Sequence, residues 1–294
     1  MAPASAIPLA CAPVSADEAF FVPVGESFEA TELTRGPWDP DSQHAGPPTA
    51  LIARTVERLV GTSEPGWQVG RITLEILRPV PIDILSIAAR VVRPGKRVQH
   101  VEATLRGPEE DLIRARAWLV RRADIELPAN VSSRDEGSPA ARAGRPTGAL
   151  GPPSGLPEAA DSDFFPMLNS VGYHTAMEYR FAEGSFLELG PATTWMRMLH
   201  PLVAGEEPTP LQRVLIAADS GNGVSATLDF RRYLFVNVDL SVHLHRMPAG
   251  EWVCLDSVTV PEPTGVGMSD TALYDQHGPI GRAMQTLLIA ERDE

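Results

Sequence analysis

Lysine is almost missing from this sequence: Lys96 is the only one among 25 basic residues, which face 38 Asp and Glu in 294 residues for a formal charge of -13. With no lysine run and no net positive field to gather phosphates, nucleic-acid binding is not expected. Cysteine is scarce too. Cys11 and Cys254 stand far apart, in no C-x-x-C pair and beside no spaced histidines, which argues against a disulfide framework or a zinc site. No uninterrupted apolar run approaches the roughly 18 residues of a spanning helix, so no membrane segment is expected. The first 25 residues hold Pro3, Pro8, Pro13 and Pro23 but neither a basic n-region nor an apolar h-region. The expectation is a cytoplasmic protein with Cys11 a free thiol in a loose terminus.

Familiar catalytic signatures are missing as well: there is no G-x-S-x-G, no Walker loop and no H-E-x-x-H. Gly265-Val266-Gly267 lacks the third glycine and following helix of a dinucleotide loop and reads as a strand connection. Serine hydrolase, kinase and Rossmann chemistry fall away.

What is present is a soluble, globular composition, 43% hydrophobic, long enough for two modest domains or one large one. Between Pro128 and Pro157, Pro139, Pro146, Pro152 and Pro153 alternate with glycines and break any period, so the stretch reads as a linker. Charge divides there, with net -3 over residues 1 to 128 and -10 over the rest. The resulting division is an N-terminal domain over 1–127, a linker over 128–160 and a C-terminal domain over 161–294.

Each half repeats one order of elements. In the first, a strand over Ser27 to Thr34 precedes a helix that opens at His44-Ala45-Gly46-Pro47-Pro48 and runs to Val60, proline being at home in a first helical turn. Strands follow at Trp67 to Arg78, Ile82 to Val92, Val98 to Arg106 and Leu112 to Val120. In the second half, strands at Tyr173 to Phe181 and Ala192 to Leu199 precede the apolar run Leu211 to Ala218, with a short helix continuing to Leu228. Four strands then return at Leu234 to His245, Glu251 to Val260, Gly267 to Tyr274 and Ile280 to Ile289. Two copies of one α+β unit are implied. A helix too apolar to stand alone is best buried by wrapping its strands around it, which is the hotdog fold, here duplicated as two antiparallel sheets each around a central helix.

Polar residues in apolar settings supply the candidate site. Asp219 follows Val214-Leu215-Ile216-Ala217-Ala218 and meets Ser-Gly-Asn-Gly at an expected helix start, as an N-cap or as a carboxylate held ready as a base. Asn237 interrupts an apolar strand, and so does Gln285. Overlaying the copies puts Val69 opposite Asn237 and Trp118 opposite Gln285, so the polar pair belongs to the second copy alone. One active site, or two amides on solvent faces, would explain this. His243 and His245 share a strand face but lack a third ligand, and His44 is either a helix-start cap or a donor to a substrate carbonyl.

The segments Leu215 to Asp219, Asn237 to Arg246 and Arg282 to Gln285 resemble the double-hotdog acyl-CoA thioesterases related to bacterial thioesterase II. That resemblance implies an enzyme of lipid metabolism, an acyl-CoA substrate and no metal or bound cofactor. It also implies a water held by an Asp, a Ser or Thr, and a Gln of the second hotdog. Asp219 and Gln285 match the outer two, while Asn237 stands where the best-known members carry Thr; an amide also offers a donor and an acceptor. The family's helix-start N–H for the thioester carbonyl maps to Gly46 and Gly221, and Arg231-Arg232 is a candidate for the CoA phosphates. Further copies packing on the sheets leave a homo-oligomer open. The alternatives are a non-catalytic acyl-binding hotdog protein and a hotdog hydratase or dehydratase, the latter weakened because no histidine closely follows Asp219.

Overall fold

The computed structural model describes residues 18–61, 66–128, 155–159 and 169–292. Cys11 and most of the Pro128 to Pro157 linker lie outside the described residues. Of the linker's described end, Leu156 packs against a satellite cluster that includes Trp195, Trp252 and Tyr274. The Pro157 carbonyl accepts from Arg180 at 3.0 Å.

The first half contains β1 (Phe21–Val24), β2 (Ser27–Ala30), a 3-10 turn (Glu32–Thr34) and α1 (Gly46–Val60), then β3 (Trp67–Ile76), β4 (Ile84–Arg93), β5 (Val98–Arg106) and β6 (Asp111–Arg121). The second contains α2 (Tyr173–Ala176), β7 (Met177–Glu183), β8 (Ala192–Met198), α3 (Pro210–Ala218) and α4 (Gly221–Val224), then β9 (Tyr233–Asn237), β10 (Asp239–Leu244), β11 (Val253–Pro261), β12 (Val266–Asp275) and β13 (Gly278–Glu291). All described ladders are antiparallel and join one large sheet, in the order β1-β2-β4-β5-β6-β3-β10-β13-β12-β11-β8-β7, with β9 paired to β13.

That order reads the same from either end once the halves are matched, and the junction shows why. At the β3–β10 contact Ser241 faces Thr73, His243 faces Arg71 and Asp239 faces Glu75. The overlay of the copies makes Arg71, Thr73 and Glu75 equivalent to Asp239, Ser241 and His243, so each contact is the exchanged copy of another and the copies meet through a self-complementary edge, as a two-fold interface requires. Ser241 donates to Thr73 Oγ1 at 3.1 Å across it.

The two longer helices start where proline permits. α1 carries Pro47 and Pro48 in its first turn, and α3 has Pro210 there with Thr209 as N-cap, its Oγ1 accepting from the Gln212 N–H at 3.3 Å. Leu51, Ile52, Leu215 and Ile216 are wholly buried. Each contributes roughly 1.5–3 kcal/mol by burial. α1 packs on β4 and β5, α3 on β8 and β11, and the helices pack on each other. Their approach is close enough that a Cβ on Gly46 would lie 2.5 Å from the Ile216 carbonyl oxygen.

Five expected elements are corrected. The strand expected over Ser27 to Thr34 ends at Ala30 and gives way to the 3-10 turn, and the short helix expected to reach Leu228 ends at Val224. The strand expected from Tyr173 begins with the helical turn α2. The strand expected over Leu234 to His245 breaks at Val238, because five residues from Asn237 to Ser241 oppose four from Leu287 to Met284. The extra residue is a bulge. Asp219 does not begin a helix but closes α3 as its C-cap, and Ser220 is the N-cap of α4.

Candidate active site

The α3 C-terminus delivers Asp219 to the foot of a cavity of about 360 Å³ between the two halves, walled by Trp38, His44, Val80, Tyr173, His174, Phe235 and Asn237 among others. Since Asp219 sits at the negative end of α3, helix-start stabilisation does not apply to it. Side chains hold it instead. Asn237 Nδ2 donates to its Oδ1 at 2.8 Å. Gln285 Nε2 donates to its backbone carbonyl at 3.0 Å and lies 3.4 Å from Oδ1. The Val238 bulge turns the end of β9 so that Asn237 reaches inward, and Asp239 secures the bulge by accepting from the Thr286 N–H at 2.6 Å.

Asp219, Asn237 and Gln285 are therefore brought together, which removes the solvent-face alternative for both amides. Their positions differ. Asn237 lines the cavity, whereas Gln285 is 2% exposed and stands behind Asp219, its Oε1 accepting from the Asn222 N–H at 3.0 Å. Asn222 in turn donates to the Phe235 carbonyl at 2.9 Å, tying α4 to β9.

From the other half comes His44. Its Nδ1 lies 3.1 Å from Asp219 Oδ2, and its ring stacks on Tyr173 at 3.8 Å between centroids and 7° between planes. Tyr173 is fixed behind it, donating to the Ile216 carbonyl at 2.6 Å and lying 2.9 Å from Ser220 Oγ. Burial lowers the basicity of His44, and the Asp219 carboxylate partly opposes this. Burial pushes His174 down to about 4 and raises the Tyr173 hydroxyl, so both are neutral around pH 7.

Neither Gly46 nor Gly221 is among the cavity-lining residues. The Gly46 N–H points at His44 Nδ1, 3.1 Å away, and a Cβ on Gly221 would lie 2.4 Å from Thr271 Oγ1. Both glycines thus answer to close packing. Arg231 and Arg232 are ion-paired with Asp229 and Glu291, each at 3.2 Å; Arg35 and Arg78 are likewise paired, with Glu32 at 3.3 Å and Glu110 at 3.1 Å, but differ in lining the cavity. His245 Nε2 lies 3.0 Å from the Pro279 carbonyl and His243 is exposed. No group of three or more His, Cys, Asp or Glu among the described residues is placed to hold a metal ion.

The polar asymmetry extends beyond the amides. In the second half Thr193, Thr194, Asp256, Ser257, Thr259, Ser269, Thr271 and Gln285 are buried on β8 and β11 to β13, whereas no buried polar residue stands on β3 to β6. Sequence reasoning missed Tyr173 and Asn222. Asn222 at least had a signal, in the Ser-Gly-Asn-Gly turn directly after Asp219.

Residues 34–120 match a family model described as the acyl-CoA thioesterase N-terminal domain, and residues 152–289 match that of the acyl-CoA thioesterase C-terminal domain. Among solved structures, the chain is similar to a protein assigned as thioesterase II from Thermobifida fusca YX (TM-score 0.65, 16% identity, 94% of this chain and 96% of that one). It is similar to a conserved protein with a hot dog fold from Alicyclobacillus acidocaldarius (TM-score 0.64, 14% identity, 95% and 98% covered). It also resembles the acyl-CoA thioesterase II TesB2 of Mycobacterium marinum (TM-score 0.56, 12% identity, 86% and 91% covered). At such identities the likeness is one of fold. No curated protein matches the chain by sequence.

Proposed function

The chain belongs to the acyl-CoA thioesterase family, and from that premise we propose that it hydrolyses acyl-CoA to free acid and CoA with a water activated in its second half. The observation that carries this is the convergence of Asn237 and His44 on the Asp219 carboxylate beside the cavity, with Gln285 holding the Asp219 backbone carbonyl and reaching Oδ1 at 3.4 Å. In the same reading the chain is a double hotdog, α1 central to a unit ending near residue 127 and α3 central to one beginning near 161, with the intervening segment a linker. The palindromic strand order supports this.

Asp219 supplies the negative charge that makes a cavity water nucleophilic. Asn237, at the wall, orients that water together with the carboxylate. Gln285 acts through Asp219 and Asn222, fixing both. The cavity's apolar wall receives the acyl group, and Arg35 and Arg78 are placed to meet CoA phosphates. No described helix is long and apolar enough to cross a membrane.

The hydratase reading gains one observation: His44 provides the histidine that the residues after Asp219 lack. One assay separates the readings. Saturated acyl-CoA and its 2-enoyl counterpart are incubated with the protein while thiol release and enoyl absorbance are followed. Hydrolysis releases thiol from the saturated substrate, hydration consumes enoyl absorbance without thiol, and a non-catalytic binder does neither.

A further inference from the structure

We infer that His44 Nε2 is the atom that takes the proton from the attacking water, and that Asp219 acts through the His44 ring, forming a dyad across the two halves. The inference rests on the hydrolytic reading above and concerns only which atom accepts the proton. Both Asp219 oxygens already have partners: Oδ1 has Asn237 and Gln285, and Oδ2 has His44 Nδ1 at 3.1 Å. His44 Nε2 has no hydrogen-bond partner among the described residues and is not sealed in the interior, and its side chain is 15% exposed where the ring lines the cavity.

The tautomer follows from the same contacts. Nδ1 cannot both accept from the Gly46 N–H and donate to Asp219, which lie at 3.1 Å each. A charge-assisted bond to a carboxylate is roughly twice as strong as a neutral one. Nδ1 therefore carries the hydrogen and gives it to Asp219, which leaves the Nε2 lone pair facing the cavity. Tyr173, stacked on the ring and bonded to the Ile216 carbonyl, blocks rotation. Burial keeps the ring neutral at rest, as a base must be. The other titratable or charged groups lining the cavity around it are Tyr173 and His174 of α2, Tyr179 of β7, and Arg35, Asp39 and Arg78. Tyr173 and His174 carry no charge near neutrality.

The step balances. As the water oxygen bonds to the thioester carbon, the C=O pair moves onto oxygen and one water proton moves to Nε2, giving an imidazolium beside the Asp219 carboxylate. The pair then returns, the C–S bond breaks with its electrons on sulfur, and the Nε2 proton passes to the thiolate. Carboxylic acid and thiol result, and the ring is neutral again.

The test compares wild type, His44→Gln, His44→Asn and His44→Ala, each checked for folding by circular dichroism, in kcat and KM for an acyl-CoA between pH 4.5 and 8.5. Gln and Asn can still donate to Asp219 but cannot accept the water proton. We expect kcat to fall about 10² to 10⁴-fold with KM within a few-fold. Wild-type kcat/KM should decline on an acid limb centred below the ordinary histidine value, because the imidazolium cannot accept, and the amide variants should lose that limb. Added imidazole should restore part of the His44→Ala turnover. Folded His44→Gln and His44→Ala retaining kcat within threefold of wild type, while Asp219→Asn fails, would overturn the role of His44 and leave hydrolysis by Asp219 standing. Absence of thiol release by the wild type would instead defeat the hydrolytic reading itself.

Discussion

Replacing Gln285 with Glu changes one donor into an acceptor at the centre of the cluster. The wild-type amide, 2% exposed, donates to the Asp219 carbonyl at 3.0 Å and lies 3.4 Å from Oδ1, while its oxygen accepts from Asn222 N–H at 3.0 Å. In Gln285→Glu one oxygen still serves Asn222, but the other meets Asp219 with no hydrogen between them. Two charges at 3.4 Å repel by about 5 kcal/mol at an effective dielectric of 20. The introduced carboxyl escapes by taking up a proton, which lifts its pKa in the folded state above its unfolded value. A group raised in this way costs nothing below its unfolded pKa and destabilises progressively as pH rises through the folded one. Gln285→Met is the reference: it strands the Asn222 N–H and the Asp219 carbonyl, at about 1–3 kcal/mol each, at every pH. Thermal melting and thiol release are measured from pH 5 to 8. The Glu variant should approach wild type at the acid end and fall to or below the Met variant at the alkaline end. Wild-type stability and turnover of Gln285→Glu throughout would show that Gln285 does not face Asp219.

Gly46→Ala should lower stability by about 1–3 kcal/mol in urea denaturation, because its Cβ meets a backbone oxygen 2.5 Å away that cannot yield without parting α1 from α3. Asp275 is inaccessible; burial alone would raise its pKa, but the Arg246 fork at 2.5 and 2.6 Å and two backbone N–H groups outweigh that and hold it low. A depressed carboxyl stabilises above its unfolded value and loses that contribution as pH falls through the folded one. Asp275→Asn should therefore cost about 3–5 kcal/mol at pH 7 and flatten the acid limb of the denaturation midpoint against pH. In the first half, Val69→Ala and Trp118→Phe should reduce the melting temperature while leaving turnover per folded molecule near wild type, since neither residue touches the cavity.

Much of the fold was legible because its period is local. Val98 to Arg106 coincides with β5 as expected from alternation, with Val101, Ala103 and Leu105 buried in the core and Ile87, Ala89 and Val91 of β4 partly buried against it. Where a local pattern depended on distant partners, it misled. The apolar run through Asn237 and Val238 carries no mark of the bulge, which exists because β13 pairs both β9 and β10 out of step by one residue. Asp219 before Ser-Gly-Asn-Gly has the composition of an N-cap, yet the apolar residues before it are themselves the helix, buried between α1 and the sheet. The three polar residues singled out do converge, because an amide in an apolar strand needs a buried partner wherever the chain puts one. The contact between His44 and Asp219 lay beyond reach, since it arises only when the two halves close on each other through α1 and α3.

The most direct measurement is thiol release per folded molecule by wild type and Asp219→Asn, over saturated acyl-CoA substrates of increasing chain length. The substitution keeps the shape and the contact with Gln285 while removing the carboxylate on which Asn237 and His44 converge. The expected result is hydrolysis by the wild type and a fall of about 10² to 10⁴-fold in turnover for Asp219→Asn. Equal turnover by the two folded proteins would contradict the assignment and place the reacting water elsewhere.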